Sequence, residues 1–536
     1  MTKLELVCAY HQQSKHHLNG YAPGPGGLDW ANQPDPFRVF TGAPGIDLRL
    51  AADAETVPFS AIRSGERPHP APVDLAHLAV LLELSFGLSA WKSYGDARWA
   101  LRCNPSSGNL HPTECYLITG ARAGLGGGVY HYVSRDHRLE QRALDLEAAP
   151  SLPPTEGLVL ALSSIHWREA WKYGLRAFRY CQHDLGHAIA AIAYAAALLG
   201  WQVTRLPWGD AVLAGLLGVD RADEFPPGHQ EAPDLALWVG PTTIPSADEL
   251  NRLRQAPRCF QGLANQLSRD YRHWSGIATV HEAAERPDAA RSVVTQHSTL
   301  PPPAANPCAL TAADLIRQRR SAQEFDGSTP LSAQRWFAML DALLPRAGVP
   351  PLDAWSGPPR IHLALFVHRV EGLAPGLYCL ARDPAAIPAL RTGLRKDWHW
   401  NPVPDAPDHL PLFCLVQGDA RAAARQLACH QDIAADSAFA VGMLADFDAA
   451  LADGPWQYRE LFWECGLLGQ ILYLEAEAAG LRGTGIGCFF DDAVHDLLGI
   501  TDTQWQSLYH FTVGGPLEDQ RLQTEPPYAH LETRAS

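Results

Sequence analysis

One order of sequence features occurs twice along this chain, and this repetition constrains the fold more than any other property. An apolar segment bounded by glycines spans residues 186–200 and recurs at residues 466–480. Three shorter matches occur in the same order in both halves: Gly128-Val129-Tyr130 with Gly376-Leu377-Tyr378, Asp210-Ala211-Val212 with Asp492-Ala493-Val494, and Val239-Gly240-Pro241 with Val513-Gly514-Gly515-Pro516. Each match is weak alone, but their shared order predicts an internal duplication.

The first copy of the apolar segment belongs to a longer predicted helix. Residues 176–199 are rich in alanine and apolar on nearly every side, and Gly200 stands where a C′ glycine is expected. A helix without a polar face belongs in the interior of a large domain or at a dimer interface. Other patterns predict further elements: a helix over 74–88 capped by Asp74, a helix over 312–320, and strands at 115–119, 129–133, 158–162 and 235–240.

Length and local composition predict how the chain is divided. A chain of 536 residues is too long for one ordinary core. The Gly-, Pro- and His-rich residues 10–30 are expected to form an irregular surface arm rather than a helix or strand, residues 244–290 to be helical and polar, and the Pro-rich residues 301–307 to be an extended linker. The predicted parts are an N-terminal arm (1–60), domain 1 (61–243), a helical and Pro-rich linker (244–307) and domain 2 (308–536).

Composition argues against several classes of protein. The formal net charge of -15 disfavours a nucleic-acid or anionic-membrane partner. Eleven cysteines without a CxxC pair disfavour a zinc ribbon or a disulfide framework and favour reduced thiols. No signal peptide is evident and no apolar run is long enough to span a bilayer, so a soluble, cytoplasmic protein is expected.

Histidine spacing does not predict a metal site. Three histidines lie at positions 11, 16 and 17, but no carboxylate or cysteine completes a ligand set at suitable spacing. His183 and His187 share one helix face, yet a zinc site needs a third ligand and this helix is otherwise apolar. Interior histidines with protein partners are the favoured interpretation.

Three short segments have the composition of ligand-binding loops, and each also has an ordinary structural explanation. Small polar residues let a backbone come close to a ligand, although a simple loop before a strand has the same composition. Arginine guanidinium groups and a serine hydroxyl can bind a phosphate, although the same residues also occur on a solvent-exposed basic helix face. A GxGxG run allows close approach, although it is also a common helix-to-strand turn, and it lacks the flanking strand and helix of a dinucleotide fingerprint. The candidate residues are Pro105, Ser106, Ser107, Gly108 and Asn109; Arg319, Arg320, Ser321 and Gln323; and Gly485, Ile486 and Gly487.

A fourth candidate is the adjacent pair Lys172 and Tyr173. A lysine whose pKa is lowered by burial could exchange a proton beside a tyrosine. The alternative is a lysine at a helix end next to a core tyrosine.

These segments together resemble the nitroreductase superfamily, in its SagB/ThcOx-type branch of FMN-dependent dehydrogenases. Residues 105–112 are similar to the family's Pro-Ser-x-Gly-x-x-x-Pro segment, and residues 319–325 to its Arg-x-Ser-x-Arg/Lys-x-Phe opening. The resemblance implies that the first segment lies against the isoalloxazine ring and that Arg319 and Ser321 hold FMN. It also assigns a second flavin loop to 485–487, a basic residue near the phosphate to Arg521, and proton transfer to Lys172 and Tyr173. Gln323 departs from the family, which has Arg or Lys there.

The resemblance further implies an α+β fold of two fused nitroreductase-like domains that form an intrachain pseudo-dimer. In that superfamily the Pro-Ser-x-Gly segment that contacts the flavin usually comes from the neighbouring subunit. Here the first half has this segment but lacks the Arg-x-Ser opening. The second half has the opening and the GxGxG run, but Trp355-Ser356-Gly357-Pro358-Pro359-Arg360 replaces the segment. One FMN per chain, bound between the halves of a monomeric chain, is therefore expected.

The expected function is that of an FMN-dependent oxidoreductase. Hydride would pass between flavin and a small-molecule or peptide substrate, for which a peptide azoline is one candidate. An NAD(P)H-dependent nitro or quinone reductase is the first alternative. A flavin-free scaffold or peptide-binding partner is the second.

Overall fold

The structure is a computed structural model of the whole chain. It describes all residues except 122–123, 146–156, 242–243, 257, 289, 291–299, 356 and 532–536. The helices in this part are α1 Lys3–Gln13, α2 Phe59–Ser64, α3 Leu75–Ser85, α4 His166–Tyr173, α5 Ala177–Leu198, α6 Asp210–Leu217, α7 Ala247–Gln255, α8 Ser275–Ala283, α9 Ala312–Gln318, α10 Ala333–Asp341, α11 Ile387–Gly393, α12 Arg421–Leu427, α13 Asp432–Asp436, α14 Phe447–Asp453, α15 Gln457–Ala478 and α16 Asp491–Leu498.

The strands in the same part of the chain are mostly collected in two large sheets. They are β1 Phe40–Thr41, β2 Gly45–Asp47, β3 Leu88–Tyr94, β4 Ala97–Arg102, β5 Thr113–Thr119, β6 Gly128–Val133, β7 Arg138–Asp145, β8 Leu158–Ser164, β9 Gln202–Arg205, β10 Ala232–Gly240, β11 Arg258–Phe260, β12 Leu263–Ala264, β13 Glu324–Phe325, β14 Leu331–Ser332, β15 Ile361–Val367, β16 Val370–Glu371, β17 Gly376–Leu380, β18 Asn401–Pro402, β19 Leu412–Gln417, β20 Phe439–Asp446, β21 Arg482–Ile486, β22 Trp505–Gly514, β23 Pro516–Leu517 and β24 Gln523–Glu525.

Six strands of each large sheet share one topology, and the outermost strands differ. The first has the order β11-β7-β6-β5-β8-β10-β9, with β2 beside β7, and the second has the order β18-β19-β17-β15-β20-β22-β21. Neighbouring strands are antiparallel in both sheets. Each half therefore has the same α+β arrangement, as the internal duplication predicted.

The long helices α5 and α15 pack against each other between the halves. Every residue of α5 is buried, which confirms the prediction of an interior helix. A Cβ built on Gly186 would lie 2.1 Å from the Trp463 carbonyl oxygen, and one on Gly466 would lie 2.2 Å from the His183 carbonyl oxygen. The contact is reciprocal, because each glycine meets the residue three positions before the other glycine. Reciprocal contacts characterise a two-fold interface, so the halves form an intrachain pseudo-dimer.

Buried ion pairs repeat this symmetry. Arg179 of α5 pairs with Asp491 at the start of α16 at 2.6 Å, and Arg459 of α15 pairs with Asp210 at the start of α6 at 2.7 Å. Each arginine thus reaches a carboxylate of the other half, and all four side chains are nearly inaccessible to solvent. Removing one partner would leave an uncompensated buried charge.

Several local predictions are confirmed. Helix α3 begins after Asp74, whose carboxylate accepts a hydrogen bond from the His77 N–H at 3.0 Å. It ends at Ser85 rather than residue 88, because Leu88 already begins β3. The strands predicted at 115–119, 129–133, 158–162 and 235–240 lie within β5, β6, β8 and β10.

The N-terminal arm is not wholly irregular, so that prediction is wrong for residues 10–13. These residues belong to α1, where Thr2 and Glu5 form a reciprocal capping box. Tyr10 and His11 on this helix are buried. Capping and burial stabilise a helix that the local composition did not indicate.

Residues 244–290 are only partly helical, which is a second correction. They contain α7 and α8, but β11 pairs with β7 at the edge of the first sheet. β2, from the predicted arm, also pairs with β7. The first sheet therefore extends beyond the predicted bounds 61–243 on both sides.

The chain ends cross between the halves. His16, near the N-terminus, forms a β-bridge with Phe490 of the second half. β24, near the C-terminus, pairs with β3 of the first half. Among the helices of the described residues, none combines the length and apolar character needed to cross a membrane.

Candidate functional site

A cavity of about 680 Å³ lies between the two halves. We call it the interdomain cavity. It is lined by the loop 105–109 and Tyr173 from the first half, and by Arg319–Ser321, Gln323 and residues 485–487 from the second half. Segments that are more than 200 residues apart in the sequence thus meet around one space.

The loop 105–109 is fixed by a carboxylate from α5. The Ser107 N–H and Oγ both donate to Asp184 Oδ1 at 3.0 Å. Gly108 and Asn109 both have a left-handed φ of 59°, which favours glycine at the first position. Asn109 Nδ2 donates to the Ala100 carbonyl at 2.9 Å. The loop is therefore held in one shape before any ligand binds.

Two arginines of the second half place positive charge at the cavity. Arg319 is buried, and its Nη2 donates to the Arg102 carbonyl at 3.1 Å while its Nε has no protein partner. Arg320 donates only to carbonyl oxygens, including Ser89 O at 2.9 Å. In the described part of the chain neither guanidinium has a carboxylate ion pair. Burial lowers the pKa of both groups, and that of Arg320 to about 10, so both stay charged at neutral pH. Such a pair suits an anion.

The glycines at 485 and 487 are required by protein packing. A Cβ on Gly485 would lie 1.9 Å from the Tyr509 hydroxyl, and one on Gly487 would lie 2.2 Å from the Tyr180 ring. The Gly485 N–H already donates to the Tyr473 hydroxyl at 3.1 Å. That hydroxyl also lies 2.8 Å from Ser321 Oγ. Tyr473 therefore links the Arg-x-Ser segment to the glycine strand.

Lys172 and Tyr173 end against the loop 105–109. A Cβ on Gly108 would lie 2.5 Å from the Tyr173 hydroxyl and 3.1 Å from Lys172 Nζ. Burial raises the pKa of Tyr173, and the nearby Glu169 adds to this effect. Its phenol is therefore protonated at neutral pH and is a hydrogen-bond donor.

Acidic residues behind the loop were missed by the sequence analysis. Burial raises the pKa of Asp184 to about 7, and burial together with Asp184 raises that of Glu169. Asp184 is the only acidic residue in α5, and this was a usable signal in an otherwise apolar helix. Nothing local indicated Tyr473, whose partners are distant in the sequence.

The structure does not bring Arg521 into the cavity. Its guanidinium pairs with Asp519 at 2.8 Å and is 72% exposed. His187 does line the cavity, but its ring nitrogens lie 3.2 Å from Gln470 Oε1 and 3.1 Å from the Tyr509 hydroxyl. Within the described residues, no group of three or more His, Cys, Asp or Glu side chains is arranged to hold a metal.

The pseudo-symmetric position in the opposite half is filled by protein side chains. Strand register places Arg205 where the other half has Gly485. The Arg205 guanidinium lies 5.0 Å from the Trp463 ring and 5.6 Å from the Trp355 ring, and it pairs with Glu460 at 2.5 Å. Ser356, in the segment that replaces the loop, lies outside the described residues.

Comparison with known proteins agrees with this architecture. The Nitroreductase family model matches residues 413–515. The trifolitoxin-processing protein TfxB of Rhizobium leguminosarum bv. trifolii is 30% identical over 158 residues, which cover 26% of this chain and 42% of that protein. The nitroreductase-like protein MJ1384 of Methanocaldococcus jannaschii is 26% identical over 138 residues, which cover 24% of this chain and 66% of that protein. The matches thus span less than two thirds of either relative.

A solved structure shows the same fold over the whole chain. A nitroreductase-type protein from Anabaena variabilis superimposes with a TM-score of 0.67 at 22% identity, and the match covers 96% of this chain and 99% of that one. The architecture therefore defines a fused pair of nitroreductase-like domains. This likeness shows the fold that the motifs predicted.

Proposed function

We propose that this chain is an FMN-dependent oxidoreductase of the SagB/ThcOx type that binds one FMN in the interdomain cavity. The proposal rests on one observation: each half contributes only part of the expected flavin-binding residues, and the two parts meet in the interdomain cavity. The loop 105–109 comes from the first half, and Arg319 and Arg320 come from the second.

The residues present fit FMN. Arg319 Nε is buried without a hydrogen-bond partner among the described residues, and neither guanidinium forms an ion pair with a carboxylate there, so both can bind a phosphate. Ser321 would add a hydroxyl, while Gln323 would offer an uncharged amide where the family has a cation. The fixed loop 105–109 would lie against the ring. Bound FMN supplies the hydride chemistry, and the protein supplies orientation and hydrogen bonds.

Lys172 and Tyr173 are proposed to assist the proton transfer that accompanies hydride transfer. Tyr173 lines the cavity, and Lys172 Nζ lies beside Gly108. Because its pKa is raised, Tyr173 would donate a hydrogen bond to a substrate heteroatom rather than act as a base. Lys172 would accept the proton.

One flavin per chain is supported by the contrast between the two pseudo-symmetric positions. Arg205, Trp463 and Trp355 occupy the opposite one, where a ring would have to lie. The chain already contains the pseudo-dimer interface, so we propose that it is a monomer in the cytoplasm. Light scattering that found a stable dimer would contradict the oligomeric part.

A peptide substrate is supported by one comparison. The trifolitoxin-processing protein, as its name says, acts in processing trifolitoxin, and it is 30% identical over the matched stretch. Oxidation of a peptide azoline is accordingly the proposed reaction. Rapid bleaching of bound flavin by NAD(P)H would instead favour a nitro or quinone reductase.

The decisive experiment measures flavin per protein in purified variants. Wild type is expected to hold one FMN. Ser107→Trp should place an indole where the flavin ring would lie, so this variant should lose FMN. Arg319→Ala should weaken FMN binding at least about tenfold, because a charge-assisted hydrogen bond contributes roughly 1.5–3 kcal/mol. The exposed Ser60→Trp and Arg425→Ala are matched controls that should keep one FMN.

Three results would contradict the proposal: two FMN per wild-type chain, no uptake of FMN, or loss from only one of the two site variants. The proton roles have a separate test. Lys172→Met and Tyr173→Phe should retain one FMN and lose turnover of an azoline peptide. The exposed Lys396→Met should retain both.

A further inference from the structure

Two cysteines that are distant in sequence meet at the edge of the interdomain cavity. Cys429 and Cys488 lie with their sulfur atoms 2.6 Å apart, and both are free thiols. Cys488 follows the glycine strand and lines the cavity. Cys429 lies behind it, in the turn after α12. Neither residue has a part in the proposed flavin chemistry.

The backbone around this pair is shaped to hold it. Cys429 and His430 have left-handed φ angles of 53° and 61°, which cost free energy in residues other than glycine. Gln431 Nε2 donates to the Ala428 carbonyl at 2.8 Å and to the Cys488 carbonyl at 3.2 Å. The turn that carries Cys429 is thereby tied to the segment that carries Cys488.

A histidine from the N-terminal arm acts on the same thiol. His16 is buried, and its interaction with the Cys488 side chain helps to lower the pKa of that thiol. Its Nδ1 accepts from the Ala22 N–H at 2.9 Å, so the neutral ring carries its proton on Nε2. An Nε2–H donor beside a thiol stabilises the thiolate form.

Electrostatics distinguish the two sulfurs. The hydrogen bond with Cys429, followed by the interaction with His16, lowers the pKa of Cys488. The hydrogen bond with Cys488 and burial raise the pKa of Cys429. Cys488, which faces the cavity, is therefore the nucleophile, and Cys429 is the resolving thiol.

We propose that Cys429 and Cys488 form a redox-active dithiol site that opens into the interdomain cavity and takes low-molecular-weight disulfides as its oxidising substrate. This activity goes beyond the proposed flavin function and does not depend on it. The Cys488 thiolate attacks one sulfur of the small disulfide, whose S–S bond breaks, and the first thiolate leaves with the electron pair. Cys429 loses its proton and attacks Cys488 Sγ, which expels the second thiolate. Two protein thiols become one disulfide, and the small disulfide becomes two thiols.

The test uses the native full-length chain and oxidised glutathione as the probe. After incubation at neutral pH, free thiols are alkylated and the peptides are mapped by mass spectrometry. Wild type is expected to lose two alkylatable thiols at Cys429 and Cys488 and to gain a cross-link between their peptides. This result does not require any variant to fold.

Variants then assign the two roles. Cys429→Ser should stop at a glutathione adduct on Cys488, whereas Cys488→Ser should leave Cys429 free. Cys259→Ser removes an exposed cysteine and should leave the cross-link unchanged. Absence of the cross-link in wild type, or an adduct trapped on Cys429 in Cys488→Ser, would overturn the proposal. Flavin content is measured on the same samples, so that failure of the dithiol proposal can be distinguished from failure of the proposed flavin function.

Discussion

The close approach of α5 and α15 makes Gly186→Ala a demanding test of the pseudo-dimer interface. The added methyl would lie 2.1 Å from the Trp463 carbonyl oxygen and 2.7 Å from Gly466 Cα. Non-bonded atoms pack near 3.5 Å, so the helices must separate by about 1 Å. Such overpacking lowers the free energy of unfolding by up to about 3 kcal/mol, whereas the higher helix propensity of alanine raises it by about 1 kcal/mol.

The variant should therefore be destabilised by about 2 kcal/mol, which lowers the thermal midpoint by about 4 °C in a large domain. The assay is calorimetry, with midpoints compared because a two-domain chain need not unfold in one step. The matched control is Gly215→Ala in α6, where the nearest atom to a new Cβ is 3.8 Å away. It should be stabilised by up to about 1 kcal/mol.

The reciprocal geometry adds a sharper expectation. One separation of the helices relieves the clash at both glycines, so Gly186→Ala combined with Gly466→Ala should cost less than the sum of the single changes. A Gly186→Ala midpoint at or above wild type, or a strictly additive double variant, would refute this account of the interface.

Two further predictions concern residues that the sequence analysis did not identify. Tyr473→Phe removes the acceptor of the Gly485 N–H and should weaken FMN binding by at least about fivefold in a titration, because an unsatisfied buried donor costs roughly 1–3 kcal/mol. Tyr378→Phe loses a hydrogen bond to the Ala374 carbonyl and should leave FMN binding unchanged. Asp184→Asn tests how the protonation of Asp184 affects stability. Burial raises the pKa of Asp184 in the folded protein to about 7, above an unfolded value near 3.9. The stabilising contribution of Asp184 is therefore complete below about pH 4 and is lost as pH rises through 7. The wild-type thermal midpoint should thus fall relative to the variant across this range, and parallel pH profiles would contradict it.

Local sequence patterns determined much of the architecture. The apolar character of residues 176–199 was sufficient to predict the interior helix α5, and the repeated order of features was sufficient to predict two similar halves. Asp74 marked the start of α3 because capping depends on a side chain and a backbone N–H three residues later. In each case the interacting groups are close in sequence, so periodicity and composition contain the information.

Tertiary packing decided the rest. Whether Arg521 reaches the cavity, which it does not, depends on its pairing with Asp519 at the surface. The N-terminal arm forms part of a helix because burial of Tyr10 and His11 outweighs its irregular composition. The meeting of Cys429 with Cys488 requires two segments 59 residues apart to be folded against each other. Such contacts arise from the summed burial of many side chains, and no local spacing encodes them.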